Sequence, residues 1–531
     1  MSRAILPKIL ALLGLLWAVF PPSPSFAQDH RPAPEAGADN AVLEQRQAIA
    51  RATGAQEKAE LHQRLGDLFA GRQEFPQAAS EYLLALSLWR EFPEEERFRM
   101  ARVLSWAGRL DESIAELDHI LAARPGNRAA RIHLARCLSW KGKLRRAEKE
   151  IDHVLSGHPE DREAMLVKAN LLRWRRDLKR SIALYRRALG GEEDFGARTG
   201  LAYAFLSAGD VRRARRERGR LKAEYPYQEK EIAELDRAIR AAARPSAEAG
   251  YAYYDDSDGN RTDRYQASLS AWAAVARVGL SLRYFDARDE AARTADARQA
   301  SLSASSRLAE SLGLSASAGF HESRSDHSSG FGTGSARLDY LIPRGGVSAS
   351  AARDILTDTA ELIGNSVRVS AYQVSLFQYL GAGVTADGSF AHREYSDDNR
   401  SEDLNLSARY AFDVKNPNVS LGYRFRYRDF SRETGSGYFD PSNYLSHLLF
   451  LALSVEGKRI VAYAEPYGGR EAFDRRGAGT SHWIGGGSGS LGVKVGERWV
   501  LEANAEGGTN SSGTVTGFNY FQAGVRIRGT F

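Results

Sequence analysis

A spacing of 34 residues governs the chain from about Glu57 to Pro226 and limits what that stretch can fold into. Gly108 and Gly142 stand 34 apart, as do Pro125 and Pro159. The word Leu104-Ser105-Trp106 returns as Leu138-Ser139-Trp140, and Trp174 follows 34 further on. Ala101, Ala135 and Ala169 share one slot; Ser113, Ala147 and Ser181 share another, with Leu117, Ile151 and Tyr185 four residues later. A fixed period of this length means one small helical unit used repeatedly. Each unit exposes an apolar face that only its neighbour can cover, so three or more must stack into a solenoid.

The pattern resembles the tetratricopeptide repeat, in which small residues mark the helix crossing, an aromatic or aliphatic residue follows four later, and proline ends the unit. A preceding unit fits through Leu65, Gly66, Phe69, Ala78, Tyr82 and Ala85, and a following one through Ala202, Phe205, Gly209, Ala214 and Pro226 after a one-residue slip. Four to five repeats are expected in a domain spanning 57–245, with a helix from Gln228 to Ala243 capping the array. The resemblance implies a concave groove and turns Trp106, Trp140 and Trp174 toward it, where indoles could stack on sugar rings. The other reading packs each indole between adjacent helix ends. Cys137, between Leu134 and Leu138 and alone in the chain, reads as a buried thiol with no disulfide to make.

Residues 1–27 read as a signal peptide: Arg3 and Lys8 precede an apolar run from Ile9 to Phe20, and Ser25-Phe26-Ala27 forms a small-residue cleavage site. The run is too short to span a bilayer core of about 30 Å, and no later stretch approaches the roughly 18 apolar residues of a spanning helix. Gln28 would begin the mature chain, leaving 28–56 as an N-terminal segment. The net charge of +6 comes from the first half, where Arg212, Arg213, Arg215, Arg216, Arg218 and Arg220 cluster. On an exported helix that run reads as a solvated face, not a nucleic-acid site.

Beyond Pro245 the helical period disappears and a period of two replaces it. Val278, Leu280, Leu282 and Tyr284 alternate with Arg277, Gly279, Ser281 and Arg283; Tyr423, Phe425 and Tyr427 alternate with Arg424, Arg426 and Arg428. About sixteen such segments, each near ten residues, predict an antiparallel transmembrane β-barrel over 246–531. Tight links are expected at Pro343–Gly346 and Glu456–Lys458, and long polar loops at Ser323–Thr333 and Glu471–Thr480. The last segment alternates Phe521, Ala523, Val525 and Ile527 with Gln522, Arg526 and Arg528, and ends at Phe531. This ending resembles the signal by which outer-membrane barrels are recognised for insertion.

A secreted tetratricopeptide domain before a barrel of this size resembles the bacterial exopolysaccharide exporters, of the cellulose synthase operon protein C and poly-N-acetylglucosamine export porin type. Fewer repeats set this chain apart from the large exporters, and small YaiO-type barrel proteins share the compact plan. Gly437-Tyr438-Phe439-Asp440-Pro441-Ser442 is similar to the Tyr-Phe-Ser-Pro word of the cellulose exporter, with Asp440 where Ser is expected; the other reading is a turn beside an aromatic girdle. The resemblance implies an outer-membrane protein with a periplasmic helical domain. Its partners would be a polysaccharide, periplasmic or inner-membrane polysaccharide-synthesis proteins, outer-membrane lipid and the barrel assembly machinery. The lumen would be faced by Arg277, Arg283, Arg424, Arg426, Arg428, Arg526 and Arg528 with Glu502 and Glu506, either contacting polymer or pairing across strands to brace the wall. A closed barrel serving as an assembly platform or surface receptor is the alternative. His321, Glu322 and His327 are the best-clustered catalytic candidates but fit no hydrolase pattern, so no enzymatic activity is expected. No metal or cofactor motif emerges, since Gly485-Gly486-Gly487 lies between strand segments without the helix a phosphate loop needs.

Overall fold

A computed structural model describes residues 36–191, 193–291, 293–325, 328–381, 383–412, 414, 416–509 and 518–531. The leader expected at 1–27 lies outside the described residues. The chain divides into two compact units, one ending at Pro159 and one running from Glu160 to Phe531.

In the first unit, helices Ala36–Arg51, Ala55–Gly71, Phe75–Leu88, Glu94–Trp106, Leu110–Ala123, Arg128–Trp140 and Leu144–Gly157 follow one another. Small residues let the helices of a pair cross closely. A Cβ on Gly66 would meet the Tyr82 ring at 2.5 Å, and Tyr82 is fully buried with its hydroxyl donating to Asp67 at 2.6 Å. Ser113 donates to the Ala101 carbonyl at 2.7 Å. Cys137 is a buried free thiol 3.4 Å from the Ser113 hydroxyl, and burial raises its pKa.

The second unit opens with helices Arg162–Trp174, Leu178–Leu189, Phe195–Ser207, Val211–Gly219 and Pro226–Ala243. The serine slot recurs, with Ser181 donating to the Ala169 carbonyl at 2.8 Å. First helices begin at Glu94, Arg128 and Arg162 and end at Trp106, Trp140 and Trp174, so the 34-residue period fixes helix boundaries as well as core contacts. Asn127 and Asp161 cap two of them, each accepting from a backbone N–H at 2.9 Å. The residue two beyond each tryptophan has positive φ: Gly108 at 79°, Gly142 at 84° and Arg176 at 61°.

A second periodic feature was not anticipated from the sequence. Cross-helix pairs separated by 19 residues repeat through the helices: His62–Glu81, Arg97–Glu116, Arg131–Glu150 and Arg198–Glu217, with N···O distances of 2.7, 2.8, 2.5 and 2.6 Å. One repeat has Met165 and Leu184 in those slots. Arg218 is also paired, to Asp236 at 2.7 Å, so the basic run is partly neutralised within its own fold.

Sixteen strands then close into a barrel, each antiparallel to its sequence neighbours, with the last returning to the first. They are β1 Ser246–Asp256, β2 Arg261–Ala273, β3 Ala276–Arg288, β4 Thr294–Arg307, β5 Leu312–Arg324, β6 Ser328–Ile342, β7 Gly345–Ile355 and β8 Arg368–Gly381. The ring continues with β9 Val384–Tyr395, β10 Arg400–Ala411, β11 Asn418–Phe430, β12 Ser442–Glu456, β13 Ile460–Arg475, β14 Ala478–Val495, β15 Trp499–Thr509 and β16 Asn519–Thr530. Closure pairs Ala249 with Ile527 and Tyr251 with Val525. Every strand therefore has a hydrogen-bonded partner on both sides.

Several local expectations need correction. The strands are 11 to 18 residues long, not near ten. The polar stretches Ser323–Thr333 and Glu471–Thr480 are largely strand: β5 gives way to β6 after Arg324, and β13 to β14 across Arg476 and Gly477. Gly485-Gly486-Gly487 lies inside β14. Glycine reads as loop in sequence, but here its absent side chain admits a neighbour, since a Cβ on Gly486 would meet the Gly507 carbonyl at 2.4 Å and the Tyr467 hydroxyl at 2.7 Å. The longer connections lie elsewhere, between β7 and β8 and between β11 and β12.

The helical array carries a buried acid-sensitive group. His133 is 5% exposed, its Nε2 sits 3.0 Å from the Ser105 hydroxyl, and burial, reinforced by Arg136 and Arg102, lowers its pKa to about 4. An unfolded histidine takes up a proton near pH 6.5, so the unfolded state binds more protons below that value. Stability conferred by neutral His133 is therefore complete above about pH 6.5 and lost as the pH falls toward 4, by up to about 3 kcal/mol. Urea unfolding of the helices should weaken across this window, and His133→Gln should flatten the dependence; an unchanged slope would contradict the assignment.

Candidate functional site: the barrel lumen

Register places alternate residues of every strand on one face. Leu280, Leu302, Phe320, Val374, Leu449 and Leu491 stand on the outer face, each more than 40% exposed. On β3 this apolar run ends at Asp286 and Arg288, and on β11 the outward series Leu421, Tyr423, Phe425 and Tyr427 ends at Asp429. The opposite face lines the interior. From β2 to β7 it is rich in serine, including Ser268, Ser281, Ser301, Ser315, Ser335 and Ser350, and from β9 to β16 it is rich in charge.

The nine ionic residues expected in the lumen lie on this inner face, and each has a partner. Arg424 donates to Glu465 at 2.9 Å. Arg526 donates to Glu502 at 2.6 Å, with Arg528 3.6 Å from the same carboxylate, while Glu506 accepts from the Tyr520 hydroxyl at 2.8 Å. Arg283 reaches Gln299 at 3.4 Å. Arg277 donates to Ser246 and Ser270 at 2.8 and 2.9 Å, which ties it to the start of the barrel wall.

Arg426 and Arg428 converge on a residue that sequence reading missed. Asp403 of β10 is fully buried and accepts from Arg428 at 2.5 Å, from Arg426 at 3.4 Å and from Arg393 of β9. Alternation alone predicts that these arginines point inward. That they share one carboxylate follows only from the register of β9, β10 and β11, and register is not written in any one segment. Beside them Tyr444 donates to buried Glu471 at 2.8 Å, and His482 lies 2.7 Å from the same carboxylate.

Two connections fold inward at the barrel end remote from the helices. The segment between β7 and β8 carries a short helix, Ala360–Asn365, whose Ala360 and Ile363 pack on Phe285, Ala287, Ala295 and Ala297 of β3 and β4. The segment between β11 and β12 holds the aromatic word. Tyr438 stacks on Tyr395 at 4.8 Å and donates to Asp397 at 2.8 Å. Phe439 lies edge-on to Phe473 at 5.3 Å. Asp440 is buried and accepts from the Thr434 hydroxyl at 2.9 Å, and Pro441 precedes β12. Asn365 donates to the Ser436 carbonyl at 3.0 Å, joining the two connections. Beneath them lies a cavity of about 940 Å³ lined in part by Arg393, Arg426, Arg428, Tyr438 and Phe439.

At the opposite end the helices of the second unit meet the strands. Arg307 of β4 donates to the Ala208 carbonyl at 2.7 Å, Trp272 of β2 to the Ala242 carbonyl at 3.1 Å, and Arg186 pairs with Glu310 at 2.6 Å. Lys179 and Arg175 sit over the rings of Tyr340 and Tyr379. A second cavity of about 870 Å³ lies between these helices and the inner wall.

The tryptophans are half-exposed: Trp106 46%, Trp140 43% and Trp174 41%. Trp106 packs on Phe75 with ring centroids 5.4 Å apart, Trp140 lies edge-on to His133, and Arg173 covers one face of Trp174. His321 and Glu322 occupy opposite faces of β5: His321 is buried against Phe331, whereas Glu322 pairs outward with Arg324. His327 lies outside the described residues. Among the described residues no cluster of His, Cys, Asp or Glu is arranged to hold a metal ion.

Residues 104–171 match the tetratricopeptide repeat family model. No curated protein matches the chain in sequence. Among solved structures, a bacterial polysaccharide outer membrane secretin is similar at 12% identity over 54% of this chain and 99% of that one, with a TM-score of 0.46. A tetratricopeptide repeat protein from Parabacteroides merdae is similar at 15% identity over 39% of this chain and 86% of that one, TM-score 0.33. CdiB from Acinetobacter baumannii is similar at 13% identity over 54% and 60%, TM-score 0.36. The architecture of N-terminal helical repeats followed by a closed sixteen-strand barrel rests on the family match and the strand register.

Asp403 is the only carboxylate within ion-pair distance of Arg393, Arg426 and Arg428 among the described residues. Asp403→Ala should therefore cost about 3–5 kcal/mol by leaving crowded guanidinium groups without a counter-charge. The urea midpoint of the folded barrel reads this loss, and a cost below about 1 kcal/mol would show that the cluster does not brace the wall.

Proposed function

We propose that this chain is an outer-membrane conduit and scaffold for export of an extracellular polysaccharide, with its helical repeats in the periplasm. The observation that carries the reading is the sorting of the barrel wall, apolar and exposed outside, polar and cavity-lining inside. Closed barrels and helices are the structures that satisfy every backbone polar group in lipid. Among the described residues no helix is long and apolar enough to cross a membrane; the exposed apolar outer face of the barrel is what assigns that role to the strands.

On this reading the helical repeats recruit polysaccharide-synthesis proteins or guide the polymer. Half-exposed Trp106, Trp140 and Trp174 offer apolar faces for sugar rings or partner side chains. The lumen conducts. A hydrated glycan needs many weak contacts, since tight binding would stop transit, and the serine wall with its paired charges supplies them. Tyr438, Phe439, Asp440 and Pro441 would shape the outer constriction. The barrel strands would engage the barrel assembly machinery.

A second reading, a closed barrel acting as an assembly platform or surface receptor, is favoured by the helices docked against one barrel end and the connections folded into the other. Polymer secretion separates the two. Deleting the chain should abolish the extracellular polysaccharide while synthesis continues and polymer accumulates in the periplasm; unchanged secretion would favour the receptor reading.

Tyr423→Arg and Phe425→Arg would place charge on the lipid-facing wall, at about 2–4 kcal/mol each near the bilayer midplane. Together they should abolish heat-modifiable barrel in outer-membrane fractions. Arg424→Gln on the inner face should leave barrel assembly intact. Tolerance of the aromatic pair of changes would remove the membrane assignment.

Each of Trp106→Ala, Trp140→Ala and Trp174→Ala should leave the helices folded, with a loss of about 1–2 kcal/mol, while reducing secretion. Melting curves and secreted polymer are measured on the same variants. Full secretion by all three would make the indoles purely structural.

A further inference from the structure

We propose that the larger lumen cavity holds an acidic sugar unit, its carboxylate facing the wall formed by Arg393, Arg426 and Arg428. The inference rests on the export reading for its biology and on the cavity alone for its chemistry. Three guanidinium groups share the single carboxylate of Asp403. That carboxylate lies fully buried behind them and does not reach the cavity, whereas all three arginines line it. Neighbouring acids are already engaged: Glu471 lies 2.7 Å from His482 and accepts from Tyr444, and Asp440 accepts from Thr434 and lies 4.0 Å from Arg475. Arg426 Nε is buried without a hydrogen-bond partner. With three guanidinium groups to one carboxylate, the wall presents excess positive charge to the space in front of it. Planar guanidinium groups bind carboxylates through paired hydrogen bonds.

Aromatic rings complete the surface. Tyr395 and Tyr438 are stacked at 4.8 Å, and both line the cavity with Tyr444, giving a platform for the apolar face of a sugar ring. Across the sixteen-strand ring, Asp256, Glu290, Asp358 and Glu361 line the same cavity. Those acids would accept from sugar hydroxyls and repel a carboxylate, so an acidic unit would sit with its charge toward the arginine wall and its hydroxyls toward the acids. Because the wall is braced by Asp403 and is not a bare cationic cluster, binding would be graded, as passage of a chain requires.

The test is isothermal titration of the full-length chain in detergent with three oligosaccharides of equal length: oligogalacturonate, a neutral cello-oligosaccharide and a cationic glucosamine oligomer. Oligogalacturonate should bind at least about tenfold more tightly than either of the others. Arg426→Gln with Arg428→Gln should erase that preference while barrel circular dichroism stays native. If the double variant does not fold, the preference of the native chain decides alone. Equal binding of all three sugars, preference for the cationic one, or no binding of any overturns the proposal. Secretion is scored separately: a preference for oligogalacturonate in a chain whose deletion leaves secretion intact would keep the site and remove the export reading.

Discussion

The pairing of β1 with β16 is the constraint on which the rest of the barrel depends. Until Ala249 meets Ile527 and Tyr251 meets Val525, the sheet has two open edges and neither face is defined as inside or outside. Once closed, alternation assigns each side chain to one of two environments. Outward positions must suit whatever surrounds the barrel, and inward positions must fill or line its interior. Arginines that would be costly on the outer face become usable on the inner one, where carboxylates on neighbouring strands meet them.

The interior then divides by chemistry. Serines on β2 to β7 form a wall of small hydroxyl groups, interrupted by the Arg337–Asp339 pair of β6, while the arc from β9 to β16 carries the larger share of the ion pairs. Paired charges brace a wide barrel without filling it, because each guanidinium lies along the wall toward its carboxylate instead of crossing the lumen. The two inward connections and the docked helices narrow opposite ends, leaving separate cavities. On the proposed conduit reading, passage along this interior requires the constrictions at both mouths to yield.

Much of this was legible in the sequence, and the misses have physical causes. The 34-residue period located the helical repeats because small residues at crossings and turn residues at Gly108 and Gly142 are strictly spaced. It missed the repeating ion pairs such as Arg97–Glu116 and Arg131–Glu150, although these too recur at 34, because exposed-looking charges are easily read as solvated. Strand number and facing followed from alternation. Loop lengths did not, since polar strands near a barrel rim, such as those around Ser323 and Glu471, have the composition of loops. Asp403 escaped notice because its importance depends on register across three strands. The glycine run of β14 has the composition of a loop, whereas in the sheet Gly486 makes room for the Tyr467 hydroxyl of the neighbouring strand.

The central claim is that the closed barrel is a water-filled path across a membrane. Single-channel recording of the purified full-length chain in planar lipid bilayers tests it most directly. The account predicts discrete, voltage-sensitive conductance steps that increase when the helix contacts at Arg307 and Glu310 are removed. Silent bilayers containing demonstrably inserted barrel, both before and after those contacts are removed, would contradict it.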